Sequence, residues 1–172
     1  MKHVDRVRLE RGDPSQRDTL ANLVQLYIHD FSDFLSAERR LSVQEDGRFA
    51  DLLHLDRYWS EADRSVWFIW AGGALAGFAL LNKGSHCNRP LDFNMGEFFV
   101  MRPYRRDGIG ARAAVDLIEM HPGQWEIAVS ARNAPALAFW PRVVAASRAT
   151  HVEALEGDGR AWTGPITRFA IA

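Results

Sequence analysis

The run in this sequence most able to do chemistry is Arg105-Arg106-Asp107-Gly108-Ile109-Gly110, set between an apolar stretch ending at Val100 and a helical one opening at Gly108. Glycine lets backbone N–H groups approach an anion with no Cβ in the way. The first N–H groups of a helix lack partners inside it and carry the positive end of its dipole. A strand that runs through such a turn into a helix is therefore an anion cradle. The spacing predicts a pyrophosphate lying over Asp107, Gly108, Ile109, Gly110 and Ala111, with Arg105 and Arg106 adding charge-assisted hydrogen bonds. Arg102 and Arg112 complete a basic cluster whose tightness suits a small polyanion better than a duplex.

Related turns occur in other folds. Gly108-Ile109-Gly110-Ala111-Arg112-Ala113 satisfies a relaxed dinucleotide pattern, G-x-G-x-x-A. Such a fold turns from strand almost directly into the first glycine, whereas a basic segment intervenes here. The next strand, Trp125 to Val129, is followed by Ser130-Ala131-Arg132, which offers no acid to a ribose. The chain is also too short for two mononucleotide halves. A Walker loop is excluded because no Gly-Lys-Ser/Thr occurs.

The bulk properties narrow the field. With 172 residues, 47% hydrophobic and 25% charged, the chain reads as one domain with a true core, residues 1–172. A formal net charge of -1 gives no reason to expect nucleic acid or an anionic membrane as partner. Cys87 is the only cysteine, which fits a reducing compartment, and the six histidines show no metal spacing, so no metal is expected. His86-Cys87 is an isolated pair in a polar loop. No apolar run approaches ~20 residues and no apolar leader opens the chain, so a cytoplasmic location is expected.

Stepping outward from the turn, the elements that must hold it can be read from periodicity. Val4, Val7 and Leu9 alternate within His3 to Glu10, a first strand. From Gln16, apolar residues recur at three- and four-residue spacing as far as Leu35, an amphipathic helix. Phe49, Leu52, Leu53 and Leu55 suggest a second short helix ending near Tyr58-Trp59. Strands follow at Ser65 to Ala71, Ala74 to Asn82 and Asp92 to Met101, with a Gly72-Gly73 hairpin turn. Gly108 to Met120 is helical, and Trp125 to Val129 is a strand. Asn133-Ala134-Pro135 opens a helix interrupted at Pro141. Thr150 to Leu155 and Ile166 to Ile171 close the chain as strands. The order β-α-α-β-β-β-α-β-α-β-β describes an α/β unit with a mixed sheet.

The segment Val100-Met101-Arg102-Pro103-Tyr104-Arg105-Arg106-Asp107-Gly108-Ile109-Gly110 resembles the strand-turn-helix signature of the GNAT superfamily of acyl-CoA-dependent N-acyltransferases. Its core, R/Q-x-x-G-x-G/A, is met by Arg105, Gly108 and Gly110. Asn133-x-Pro135-Ala136-x-x-Phe139-Trp140 resembles the later helix that flanks the pantetheine arm. The likeness covers about Asp92 to Val144. Gln25-Leu26-Tyr27, His29-Asp30-Phe31-Ser32 and Glu97-Phe98-Phe99-Val100 look like a small bacterial branch known mainly as predicted acetyltransferases.

The resemblance implies a GNAT fold: a mixed, mostly antiparallel sheet of six to seven strands with helices on both faces. It implies that two neighbouring strands splay apart near Val100 and that acetyl-CoA enters the gap. Main-chain groups of Phe98 and Val100 would hold the pantetheine and polarise the thioester carbonyl. Asn133 and Trp140 would flank the arm. The acceptor amine must be neutral to attack, and Glu97 is the candidate base. Glu97 lies three residues before Val100, so in a regular strand the two point to opposite faces; a bulge would bring Glu97 round, and otherwise it is a structural carboxylate. Many relatives carry Tyr where this chain has Trp140, whose N–H is not a useful acid. The leaving thiolate then departs without a protein acid, or Tyr27, Tyr58 or Tyr104 supplies one. His29 and Asp30 fall at the acceptor side, either pairing with a cationic amine or serving only as exposed residue and helix cap. Tyr58-Trp59 and Trp67 with Trp70 line an aromatic pocket or belong to the core. The expected activity is acetyl transfer from acetyl-CoA to a primary amine of a small cationic acceptor. The competing reading is a non-catalytic acyl-CoA-binding module. Exposed strand edges make a homodimer reasonable.

Overall fold

Alternating apolar and polar residues, many of them β-branched or aromatic, build one sheet in the computed structural model, which describes residues 7–34 and 41–172. Its strands are β1 (Val7–Arg11), β2 (Ser65–Ala71), β3 (Ala74–Asn82), β4 (Phe93–Val100), β5 (Gly123–Ala128), β6 (Thr150–Glu156) and β7 (Pro165–Ile171). They lie in the order β1-β2-β3-β4-β5-β7-β6. Every neighbouring pair is antiparallel except β4 and β5, which run parallel. A parallel pair needs a crossover, here the helix α3 (Ile109–Glu119). The expected strand at His3 to Glu10 is seen from Val7 onward; His3 to Arg6 lie outside the described residues.

The sheet is covered on both faces. On one lie α1 (Arg17–Phe31) and the single turn α2 (Arg57–Ser60). Leu20, Leu23, Val24 and Ile28 of α1 recur at helical spacing and pack on Phe68, Phe78, Leu80 and Phe99. Each such buried side chain contributes about 1.5–3 kcal/mol relative to exposure. On the other face α3 and α4 (Ala134–Ala146) bury Leu117, Ile118, Trp140 and Val143 against Ala79, Leu81, Trp125 and Phe169. Among the described residues no helix is long and apolar enough to cross a membrane.

Four local expectations are corrected or decided. The stretch from Phe49 to Asp56 is not helical; only Arg57–Ser60 is. The cause is visible at Gln25 of α1, whose side chain accepts from the Phe49 N–H (2.7 Å) and donates to the Phe49 carbonyl (3.3 Å). Both main-chain groups are satisfied from outside, so the helix has no hydrogen bond to gain there. Pro141 does not interrupt α4, which continues to Ala146. A helix-interior proline costs about 3 kcal/mol, and burial of Trp140, Val143 and Val144 around it offsets that cost. Trp67 and Trp70 do not share a pocket. Trp67 is buried beside His121 under α3, while Trp70 belongs to the α1 side and carries the Arg8 guanidinium over its ring at 5.1 Å. The helix expected to reach Leu35 ends at Phe31 with a 3-10 turn, Ser32–Phe34; Leu35 itself is outside the described residues.

Candidate active site

The parallel neighbours β4 and β5 pair only at Phe93 with Trp125 and Asn94 with Glu126. Beyond Asn94 no strand among the described residues pairs with β4 on that side, so a wedge-shaped cleft opens toward Val100. The Met101 N–H donates to the Ala76 carbonyl of β3 at 2.8 Å. A planar trans peptide then turns the Val100 carbonyl the opposite way, into the cleft, and strand alternation turns the main-chain groups of Phe98 the same way. The Val100 carbonyl accepts from Arg105 Nε at 2.6 Å, and the Phe98 main-chain groups are left as the edge that an extended amide chain, such as a pantetheine arm, would bond.

Side-chain orientation along β4 follows from its register with β3. Leu80 pairs with Glu97, but Leu81 pairs with Met95, so Gly96 is an extra, bulged residue. A Cβ at Gly96 would sit 2.5 Å from Asn82 Nδ2 and 3.2 Å from Tyr58 Oη, which is why only glycine fits. The bulge falls before Glu97, not between Glu97 and Val100. Residues 97 to 100 therefore alternate regularly. Phe98 and Val100 face α3 and α4, and Glu97 and Phe99 face α1. Of the two readings for Glu97, the opposite-face geometry is the one found.

On the α1 face Glu97 accepts a short hydrogen bond from the Tyr27 hydroxyl. Tyr27 is fixed by edge contacts with the rings of Phe78 (5.9 Å) and Phe99 (5.7 Å). Loss of water around the carboxyl pushes Glu97 up to about 7, with the Tyr27 hydroxyl opposing that rise. Tyr27 is itself pushed well above the usual phenol range, first by burial and then by the neighbouring carboxylate. Tyr58 is raised by burial, and its hydroxyl accepts from Asn82 Nδ2 at 3.0 Å. Asn82 Oδ1 in turn accepts from Asn94 Nδ2 at 3.0 Å. A row of polar groups thus crosses the α1 face of the cleft inside an aromatic wall. Tyr104 lies elsewhere, against Val100 and Ile109.

The opposite face receives the phosphate turn. After a 3-10 turn at Arg102–Tyr104, Arg106 (φ 71°) and Gly108 (φ 79°) adopt left-handed backbone and deliver the chain into α3. The first helical bond runs from Arg112 N–H to the Gly108 carbonyl (3.0 Å), and no side chain caps the helix. The N–H groups of Ile109, Gly110 and Ala111 consequently have no helical partner. A Cβ placed on Gly110 would lie 3.4 Å from Val100 Cγ2, so the turn and the cleft edge are adjacent. Phe98, Phe139 and Trp140 form an aromatic set beside them, Phe98 meeting Trp140 edge-on at 5.3 Å and stacking on Phe139 at 5.9 Å. Asn133 caps α4, its Oδ1 accepting from Ala136 N–H at 3.1 Å.

The four arginines have different situations. Arg105 is engaged within the protein: Nε donates to the Val100 carbonyl at 2.6 Å, an Nη pairs with Asp30, and the guanidinium covers the Phe99 ring at 5.5 Å. Arg102 also pairs with Asp30, at 2.8 Å. Arg112 pairs with Asp116 at 2.7 Å. Among the described residues Arg106 has no ion pair and is exposed, so it is the cation most available to a phosphate. Asp107 is exposed at the same turn. Burial works to raise the Asp30 carboxyl, but hydrogen bonds from Arg102 and Arg105 outweigh it and hold the carboxyl below its ordinary value. Asp30 is thus a partner of the phosphate turn, and His29 beside it is exposed. That clamp across 75 positions of sequence had no signal in the local pattern. Nor did the burial of Glu126 beneath the 83–92 loop. Among the described residues no group of three His, Cys, Asp or Glu side chains forms a metal site.

With this geometry in view, the comparisons with known proteins have a clear meaning. The profile of the acetyltransferase (GNAT) family matches residues 21–144. The chain belongs to that family. No curated protein sequence matches it. Among solved structures, an acetyltransferase from Thermus thermophilus superposes with TM-score 0.65 at 15% identity, covering 97% of each chain. The PaiA N-acetyltransferase of Thermoplasma acidophilum, solved with coenzyme A, gives TM-score 0.62 at 14% identity over 96% of this chain and 99% of that one. A spermidine N-acetyltransferase chimera from Vibrio cholerae gives 0.54 at 9% identity over 96% and 94%. At these identities the likeness is one of fold.

Proposed function

We propose that this protein is an acetyl-CoA-dependent N-acetyltransferase acting on a primary amine of a small cationic acceptor. The observation that carries the reading is the cleft between β4 and β5, with different chemistry on its two sides. Toward α3 and α4 lie the uncapped helix start and the apolar set Phe98, Val100, Phe139 and Trp140, which suit a phosphate and its pantetheine arm. Toward α1 lies Glu97, a carboxyl titrating about 7 and held by Tyr27. A thioester reaching through the cleft from the first side meets an amine arriving from the second.

In this reading the phosphates sit on the N–H groups of Ile109 to Ala111, with Arg106 as the side-chain cation. Arg105 braces the Val100 end of β4, and Asn133 fixes the start of α4 that walls the arm. The thioester carbonyl is polarised by main-chain donors on the cleft edge. Glu97 in its ionised form removes a proton from the amine nitrogen, which attacks the carbonyl carbon as the C–S bond breaks. Trp140 packs and donates no proton, so CoA leaves as a thiolate. Direct transfer of this kind uses no metal.

The test is release of free CoA, followed with a thiol reagent, from acetyl-CoA incubated with polyamines, aminoglycosides, amino acids and short peptides. Release with one amine class above the amine-free rate is the expected result. Tight CoA binding with no release from any amine would instead favour a non-catalytic acyl-CoA-binding module, a reading the absence of an acid at Trp140 keeps relevant.

A further inference from the structure

The chain carries a second built constellation that the proposed mechanism leaves unused. Glu126 is fully buried, yet it is ringed by donors from β7 and the 83–92 loop. Arg168 of β7, itself 5% exposed, donates to Oε2 at 2.7 Å. From the 83–92 loop come Ser85 Oγ (2.9 Å) and Cys87 Sγ (3.3 Å) to Oε2, and the His86 main-chain N–H to Oε1. His86 Nδ1 lies 3.1 Å from Oε1. Arg168 balances the Glu126 charge, and hydrogen bonds hold the carboxyl below its ordinary value against the effect of burial.

The location matters as much as the bonds. Glu126 pairs with Asn94, the last contact before β4 and β5 part. Its neighbours Trp125 and Ile127 point toward α3 and α4, so Glu126 points to the α1 face, which Glu97 also occupies. Asn94, 2% exposed, joins the polar row from Tyr58 and Asn82, and its Oδ1 has no donor among the described residues. The His86 side chain, 27% exposed, meets Trp162 edge-on at 4.6 Å. Trp162 belongs to the 157–164 loop, in which the Thr163 carbonyl accepts from the Ala131 N–H at 3.1 Å just past the end of β5. His86 and Trp162 therefore sit beside β5 at Glu126, whose side chain points to the face of the sheet that carries Glu97 and Tyr27.

We infer that His86, held by Glu126, is a second proton-accepting group of the acetyl transfer, working on the acceptor amine from across the cleft from Glu97. The inference rests on the amine-transferase reading and assigns that site a further residue. A carboxylate at Nδ1 fixes the Nδ1–H tautomer and leaves the Nε2 lone pair free to accept a proton. Two acceptors answer a stoichiometric need. An acceptor arriving as an ammonium loses two protons from nitrogen, one before attack and one as the amide forms. One N–H proton passes to the Glu97 carboxylate and the other to His86 Nε2. The N–C bond forms, the C–S bond breaks with its electron pair on sulfur, and one proton finally neutralises the CoA thiolate while the other leaves to solvent. The charged and titratable groups facing His86 are Glu126, Arg168 and Cys87; Arg89, on the same loop, is paired with Glu153 of β6.

The experiment is the pH dependence of kcat/KM for the amine that the wild-type protein turns over fastest, spermidine being the first probe, in wild type and His86→Asn. Asparagine keeps a donor for Glu126 and removes the base. Loss of ~10-fold or more in kcat/KM is expected, with the acetyl-CoA Kd unchanged and the slope of the profile between about pH 6 and 7 reduced. Partial rescue of His86→Ala by added imidazole is expected as well, which loop anchoring alone would not give. No turnover by the wild type overturns the transferase reading and this inference together. Turnover that His86→Asn retains within ~2-fold, on the same pH profile, overturns the inference alone.

Discussion

The Tyr27 hydroxyl of α1 donates to the Glu97 carboxylate of β4, joining two residues 70 positions apart on the side of the cleft away from the phosphate turn. This bond holds a titratable carboxyl on the α1 face of β4. Three residues along α1, Asp30 pairs with Arg105, which in turn holds the Val100 carbonyl. Residues at that spacing share a helix face. One face of α1 thus ties down both the Glu97 carboxyl and the end of the strand that borders the cleft.

Removing the hydroxyl should move the base. Tyr27→Phe deletes a hydrogen bond that favours the ionised carboxyl, worth about 1.5–3 kcal/mol for a charged acceptor. The acidic limb of kcat/KM should shift to higher pH by roughly one unit while CoA affinity stays constant. A pH-rate series on the variant checks this; an unmoved limb would separate Tyr27 from Glu97 function.

Stability should report the same carboxyl with the opposite sense to an ordinary surface acid. Its folded value, about 7, lies above the ordinary 4.5. The associated stability is therefore complete below the unfolded value and is lost as pH rises through the folded one. Glu97→Gln should raise stability at pH 8 by on the order of 2 kcal/mol and change it little at pH 4. Urea unfolding of both proteins at the two pH values measures it.

The two arginines at the start of the turn should separate in experiment. Arg106→Gln is expected to weaken CoA binding by roughly 5–10-fold at low salt, with a smaller effect at high salt, and to leave stability unchanged. Arg105→Gln should cost about 1–3 kcal/mol of stability, because the Val100 carbonyl and Asp30 both lose a charged partner. Calorimetric titration with CoA beside thermal unfolding distinguishes the two.

Gly96→Ala should test the bulge. The added methyl would overlap Asn82 Nδ2, so the polar row must shift or the bulge must flatten. A loss of about 1–3 kcal/mol is expected, together with reduced turnover and unimpaired CoA binding. Equal loss of CoA binding would mean that the bulge shapes the cofactor side too.

What was legible in the sequence is what neighbouring residues encode. The run from Val100 to Gly110 announced strand, turn and helix because its apolar residues, glycines and helix start are consecutive in sequence. Strand parity correctly set Glu97 against Val100, since nothing between them breaks the alternation. The bulge at Gly96 was not locatable, because it answers to Asn82 and Tyr58 on other elements. Phe49 to Leu55 carried helical spacing that Gln25 of α1 overrode. The sequence sets Arg105 against a phosphate and Asp30 against an amine or at a helix cap, and their mutual contact depends on how α1 lies across β4. His86 looked isolated for the same reason, with Glu126 40 residues away.

The central claim is that Glu97 takes a proton from the acceptor amine while acetyl-CoA occupies the other side of the cleft. The most direct measurement is kcat/KM against pH for wild type and Glu97→Gln, with acetyl-CoA affinity determined on the same samples. The account predicts a wild-type rate that climbs through about pH 7 and a variant slower by ~100-fold or more with that climb lost, at equal acetyl-CoA affinity. A variant that keeps the wild-type rate and profile would contradict it.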